Sequence, residues 1–160
     1  RVELKNIQTN LNATILYVTH DQAEATTLAD KIGVLKEGHL VQIGTPEEIY
    51  ENPNSIYVSQ RLGSPKINIL PGTLLGMNDV PTFGIRPENI TIGNGNHSAK
   101  IISIENLGSE TVVALNFKDQ EILVSIQGNY KSSINETINF DINNKKVLKF
   151  DQEGNRIYER

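Results

Sequence analysis

Three histidines are the side chains best suited to chemistry near neutral pH, and one of them stands where a site is expected. His20 follows residues 14–19, an apolar β-branched and aromatic run typical of a strand covered on both faces, and precedes Asp21, a good helix cap. In open α/β sheets, ligands bind at the carboxyl ends of the strands, where an imidazole can donate a hydrogen bond to a phosphate. The same position also suits a histidine that fills the end of a strand.

Other catalytic patterns are missing from the sequence. His20 and Glu24 are four residues apart and could share a metal, but a capping glutamate beside a strand-end histidine is the simpler interpretation, and no metal site is predicted. His39 follows a turn glycine and His97 lies in an Asn/Gly-rich stretch, so both are interpreted as exposed loop residues. The absence of cysteine excludes disulfides, thiolate metal sites and cysteine nucleophiles, and there is no nucleophile elbow or phosphate-binding loop.

Composition excludes further classes of protein. The 160 residues include 15 Lys+Arg and 19 Asp+Glu, a net charge of −4, and 38% hydrophobic residues, enough for a core. From residue 67 onward nine basic residues face eleven acidic ones, so no nucleic-acid partner is predicted. No apolar run approaches the roughly 18 residues of a membrane span. The first residue is not Met, which suggests a piece of a longer protein.

The elements that must position His20 lie in residues 1–63, where helices and strands alternate. Leu4, Ile7 and Leu11 share one face of a first helix, and a second helix starts at Asp21 with Glu24 as its reciprocal capping residue. Runs 31–36 and 40–43 form a hairpin, and we expect the strand at 14–18 to pair with one of them or between chains.

Two more helices follow the hairpin. Thr45, Pro46 and Glu48 form a capping box with proline at the first helical position, and this helix should end near Asn52, before Pro53. A further helix is expected over residues 55–62.

Beyond Gly63 the pattern changes to short β-rich runs separated by turn residues, among them the Asn/Gly-rich stretch 93–96. These runs are 67–75, 82–85, 100–106, 111–117, 121–126, 137–142 and 147–150. The spacing predicts a small sandwich or barrel. The fold class expected for the chain is therefore α+β, with an α/β part at 1–63 and a β domain at 64–160.

Several collinear segments resemble ABC transporter ATPase subunits. Residues 17–25, Tyr-Val-Thr-His-Asp-Gln-Ala-Glu-Ala, resemble their switch-histidine segment, and residues 29–38 and 42–50 are similar to the remainder of the nucleotide-binding domain. The later matches resemble the C-terminal OB-like (TOBE-type) barrel of the subgroup that imports sugars and sugar phosphates, such as maltose and glycerol-3-phosphate; they lie at 63–65, Asn68, 84–88 and 107–111.

The resemblance implies that His20 is a catalytic, nucleotide-binding residue that contacts the γ-phosphate of ATP. It places Asp21 beside His20 and marks a set of structural or regulatory candidates in the β domain: Arg86, Pro87, Glu88, Gly108 and Glu110. The family's phosphate loop, signature motif, Mg²⁺ aspartate and catalytic glutamate lie upstream of the switch histidine and are not in this sequence. ATP and Mg²⁺ are thus expected in the parent subunit, with no cofactor and negligible hydrolysis for this chain alone.

The function implied is that of the C-terminal part of an importer's ATP-hydrolysing subunit, for carbohydrates or glycerol-3-phosphate. Its expected partners are membrane-spanning subunits, a second copy through the β domain, which acts as a regulatory and dimerisation module, and a regulatory protein. The expected location is cytoplasmic, peripheral on the inner face of the membrane. Alternatives are a TOBE module that senses a small oxyanion such as molybdate, or an importer ATPase for polyamine, iron or sulfate.

Overall fold

The structure of the protein, a computed structural model, describes residues 2–158 and divides into two compact units, 1–63 and 64–160. Most of the regular structure is β-sheet, with a few short helices. The elements of the first unit are α1 (Val2–Leu11), α2 (Gln22–Leu28), β1 (Ile32–Lys36), β2 (His39–Gly44), α3 (Pro46–Glu51) and α4 (Ile56–Ser59).

Local signals account for the helices of the first unit. Asp21 caps α2, and the capping box between Thr45 and Glu48 starts α3 as predicted, with Thr45 Oγ1 3.1 Å from the Glu48 amide. The C-cap of α3 is Asn52, directly before Pro53. The last helix is shorter than predicted, because only Ile56–Ser59 is helical after the Ser55 cap.

The predicted hairpin is confirmed. Strands β1 and β2 pair antiparallel, and the turn residues Glu37 and Gly38 both have positive φ, of 50° and 80°. One face of this hairpin packs on a small core that consists of four buried side chains: Val34, Ile49, Val58 and Leu62.

The strand predicted at 14–18 is wrong, since residues 13–19 have no regular structure. A central parallel strand needs neighbours on both sides, and β1 and β2 pair only with each other among the described residues. Pairing of 14–18 with either of these strands within the chain is therefore also wrong. Leu16 and Val18 are 91% and 83% exposed.

Over residues 64–158 the second unit contains eight strands and three short 3₁₀ helices. The strands are β3 (Asn68–Pro71), β4 (Thr82–Ile85), β5 (Ile90–Asn106), β6 (Glu110–Phe117), β7 (Gln120–Gln127), β8 (Thr137–Ile142), β9 (Leu148–Phe150) and β10 (Arg156–Ile157). The 3₁₀ helices are Gly72–Leu75, Pro87–Asn89 and Asn144–Lys146. All strand pairs are antiparallel and form two four-stranded sheets, with strand orders β10-β9-β4-β3 and β7-β6-β5-β8.

The Asn/Gly stretch predicted as a turn is instead a bulge inside β5. Phe140 of β8 pairs with Ile92 before the bulge and with His97 after it, so residues 93–96 loop out of a continuous strand. Gly95 permits this close approach, because a Cβ there would lie 2.1 Å from the carbonyl oxygen of Phe140.

The two sheets enclose one apolar core. Its fully buried members include Phe83, Leu115 and Phe140. No ladder of backbone pairs closes the sheets into a barrel among the described residues. One side chain bridges them instead: the Asn68 amide on β3 accepts from Leu123 N of β7 at 2.7 Å and donates to Leu123 O at 2.8 Å.

Candidate functional site

His20 lies in a tight turn between the irregular segment and α2, and its side chain is exposed. Thr19 Oγ1 accepts from the Asp21 amide at 3.0 Å, which closes a short ring of atoms around His20. Asp21 Oδ1 in turn accepts from the amides of Ala23 at 2.8 Å and Glu24 at 3.2 Å. The imidazole therefore projects from a backbone that is held on both sides.

Glu24 supports this turn in a way that the sequence did not reveal. Its Oε2 accepts from Thr19 Oγ1 at 2.7 Å and from the Tyr17 hydroxyl at 3.1 Å. The predicted reciprocal capping bond from the Asp21 amide to Glu24 is replaced by the bond to Thr19. Tyr17 and Thr19 are thus functional candidates that were missed; the threonine two residues before the cap was the available signal.

The other two histidines differ from each other. His39 is exposed at the start of β2. The interpretation of His97 as an exposed loop residue is wrong, because it lies half-buried in β5, with its ring centroid 5.3 Å from those of both Phe117 and Phe140. A histidine packed on two aromatic rings is part of the core boundary.

The described residues do not supply a metal centre. Over residues 2–158 there is no group of three or more His, Asp or Glu side chains that could hold an ion. The donors around His20 therefore do not fit Mg²⁺ on their own. No helix in the described part of the chain is long and apolar enough to cross a membrane.

Three of the sequence candidates lie at the start of the 3₁₀ helix Pro87–Asn89 in the second unit. Arg86 is 4% exposed, and its carbonyl accepts from the Asn89 amide at 2.9 Å. Pro87 is buried at the first position of this helix, whereas Glu88 faces solvent. The turn packs against β7. A buried arginine beside a proline-fixed turn is suited to holding the end of β4 in place.

The remaining candidates lie at the β5–β6 turn, with Gly108 inside the turn and Glu110 at the start of β6. Gly108 has a φ of +92°, and its amide donates to Asn106 Oδ1 at 2.8 Å. Glu110 is half-buried and accepts from the Ser125 hydroxyl at 2.5 Å. The Gly128 amide donates to Ser109 O at 2.9 Å, so this turn is tied to the end of β7. Both candidates are placed to fix the shape of a loop.

An open depression of about 470 Å³ lies beside the β5 bulge. Its lining consists of Thr91, Asn94, Asp141, Ile142, Asn143, Asn144 and Lys145. The lining offers an anion no net positive charge, because the Asp141 carboxylate offsets the Lys145 ammonium. The depression thus gives no specific support to the oxyanion-sensor alternative.

Comparison with known proteins identifies part of the second unit. Residues 83–145 match the TOBE domain family, a range that runs from β4 to the third 3₁₀ helix. It contains Arg86, Pro87, Glu88, Gly108 and Glu110.

Related proteins extend the match to nearly the whole chain. The sn-glycerol-3-phosphate import ATP-binding protein UgpC of Psychromonas ingrahamii is 34% identical over an alignment of 186 residues, which covers 99% of this chain and 50% of that protein. The UgpC of Rhizobium meliloti is 35% identical, with 98% and 50% covered. The xylose/arabinose import ATP-binding protein XacK of Haloferax volcanii is 37% identical, with 74% and 38% covered.

The chain therefore spans about half the length of these two UgpC relatives. The predicted resemblance to the C-terminal part of an ABC importer ATP-binding subunit, with its TOBE domain, is confirmed.

Proposed function

We propose, from its relation to ABC importer ATP-binding subunits, that this chain acts as the C-terminal part of such a subunit. Residues 1–63 would complete a nucleotide-binding domain, and residues 64–160 would form its OB-like regulatory and dimerisation module. The observation that carries the proposal is the match of 98–99% of the chain to import ATP-binding proteins. Membrane-spanning transporter subunits would be its partners, and its place would be peripheral, on the cytoplasmic face of the membrane.

His20 would contact the γ-phosphate of ATP in the completed domain. Phosphoryl transfer depends chiefly on positioning and on stabilisation of negative charge. An exposed imidazole on a backbone held by Thr19 and Asp21 can donate one hydrogen bond to a phosphate oxygen. The phosphate-cradling groups and the Mg²⁺ ligands would come from the remainder of the subunit, so we expect no hydrolysis by residues 1–160 alone.

The exposed apolar surface of the first unit supports its role as part of a larger domain. Large hydrophobic side chains are exposed on α1, on residues 15–18 and on one face of the hairpin: Leu4, Ile7, Leu11, Ile15, Leu16, Tyr17, Val18, Leu35, Leu40 and Ile43. Residues 15–18 alone expose four consecutive large apolar side chains, and an exposed apolar patch is typical of a surface that binds a partner. In the completed domain, residues 14–18 would become the parallel strand that their composition favours.

The transported solute would be glycerol-3-phosphate or a sugar, because the names of the relatives state these solutes. Selection would belong to the membrane and binding subunits of the importer.

A joined protein tests the proposal. We would link residues 1–160 to the nucleotide-binding half of the Rhizobium meliloti UgpC and measure ATP hydrolysis. We expect turnover in the joined protein, and a fall in kcat of at least about 100-fold for His20→Ala, the loss of one transition-state donor. His39→Ala, at an exposed histidine of β2, is the matched control and should keep full activity. Equal turnover for His20→Ala and the unmodified protein would contradict the proposal.

A further inference from the structure

Glu24 lies on α2, and its carboxylate reaches back across the turn that carries His20. We propose that Glu24 is a positioning residue for His20, acting through the Thr19 hydroxyl. This inference rests on the proposed function for its catalytic consequence, whereas its structural content concerns only residues 17–24.

The hydrogen bonds form a closed cycle around His20. Thr19 Oγ1 donates to Glu24 Oε2 at 2.7 Å and accepts from the Asp21 amide at 3.0 Å, so the hydroxyl proton and one lone pair are both engaged. Asp21 Oδ1 then accepts from the Glu24 amide at 3.2 Å, which returns the cycle to its start. His20 is the one residue between the two ends of the Thr19–Asp21 bond.

The direction of the Thr19 hydroxyl decides whether this cycle holds. Without a defined acceptor the hydroxyl rotates freely, and its lone pairs then no longer point at the Asp21 amide. The Glu24 carboxylate removes that freedom and strengthens the bond, because an ionised acceptor forms shorter and stronger hydrogen bonds. The Tyr17 hydroxyl, 3.1 Å from the same oxygen, extends the cycle to the segment before the turn.

Amide exchange in the 160-residue chain measures the structural part of this inference. For Glu24→Ala we expect the Asp21 amide to exchange about fivefold faster, since the loss of a net bond of about 1 kcal/mol corresponds to that factor. Thr19→Val should show the same change. Glu24→Gln and Thr19→Ser, which keep an acceptor and a hydroxyl, should stay within about twofold of the unmodified chain.

Thr26→Ala provides the matched control. Thr26 also lies on α2, and its hydroxyl bonds to the Gln22 carbonyl at 2.8 Å, outside the cycle. The Asp21 amide should not change in this variant. The amide of Ala29, the C-cap of α2, bonds to the Ala25 carbonyl and reports whether the helix itself has frayed. Unchanged exchange at Asp21 in both Glu24→Ala and Thr19→Val would overturn the inference.

The catalytic part is tested in the joined protein by a double-mutant cycle. Glu24→Ala should lower kcat about tenfold with KM for ATP changed less than about twofold, and should cost nothing further in a His20→Ala background. If the decreases in kcat caused by Glu24→Ala and His20→Ala multiply in the double variant, the inference is overturned, because Glu24 then acts independently of His20. If His20→Ala has no effect at all, the proposed function is contradicted, and the exchange result still decides the role of Glu24 in the turn.

Discussion

The two units bury very different amounts of apolar surface. The second unit has a core of thirteen buried side chains with further hydrophobic residues packed around it, whereas the buried core of the first unit contains four. In the first unit, Leu16 is 91% exposed, although burial of such a side chain contributes about 1.5–3 kcal/mol. The comparison indicates that the second unit is stabilised by its own contacts, whereas the first unit has only a small buried core of its own.

Removal of a core ring should give the largest effect and would sharpen this comparison. Phe140 is fully buried, with its ring centroid 5.1 Å from that of Phe117. We expect Phe140→Ala to lower the free energy of unfolding of the second unit by about 3–5 kcal/mol, measured by urea denaturation. Leu16→Ala, at an exposed leucine of the first unit, is the contrasting variant and should change stability by less than about 0.5 kcal/mol. A decrease of several kcal/mol in the free energy of unfolding for Leu16→Ala would contradict the difference between the two units.

The Asn68 bridge should give the next largest effect. Asn68→Leu removes the hydrogen bonds to both backbone groups of Leu123 and the longer bond to Ile85 O. Buried polar groups that lose their partner cost about 1–3 kcal/mol, and we expect a loss of stability in this range together with faster exchange of the Leu123 amide. Asn78→Leu, at an exposed turn asparagine, is the control. Unaltered exchange at Leu123 would show that Asn68 does not join the sheets.

The smallest effect concerns an exposed carboxylate in the second unit. The Ser132 hydroxyl and, to a lesser extent, the Ser133 amide lower the pKa of Glu136 from its ordinary value of 4.5. A lowered pKa stabilises the fold above the ordinary value, and the contribution is lost as the pH falls through the lowered value. We expect Ser132→Ala to raise the pKa of Glu136 in a ¹³C NMR titration. Ser133→Ala keeps the backbone donor and should leave this pKa where it is.

Elements with local signals could be predicted from sequence alone. The capping box of Thr45 and Glu48 and the positive-φ turn at Gly38 involve residues within a few positions of each other, and both formed as predicted. The strand at 14–18 was wrong because its stability depends on neighbouring strands, which residues 1–63 do not provide.

The β5 bulge and the turn around His20 show a similar limit. Residues 93–96 read as a turn, but pairing of Phe140 with residues on both sides of them depends on β8, more than forty positions away. At His20 the helix cap was predictable. The hydrogen bond from the Thr19 hydroxyl to the Glu24 carboxylate was not, because it depends on the path of the backbone before the helix. The roles of His20 and of the TOBE-domain candidates in an importer remain predictions.

Amide exchange at residues 14–18 tests most directly whether the first unit is completed from outside. We would measure it in the 160-residue chain and again in the protein joined to the nucleotide-binding half of UgpC. We predict rapid exchange in the chain alone and protection of at least about 100-fold in the joined protein, as for a strand that gains backbone partners. Rapid exchange in both proteins, or protection already present in the chain alone, would contradict this account.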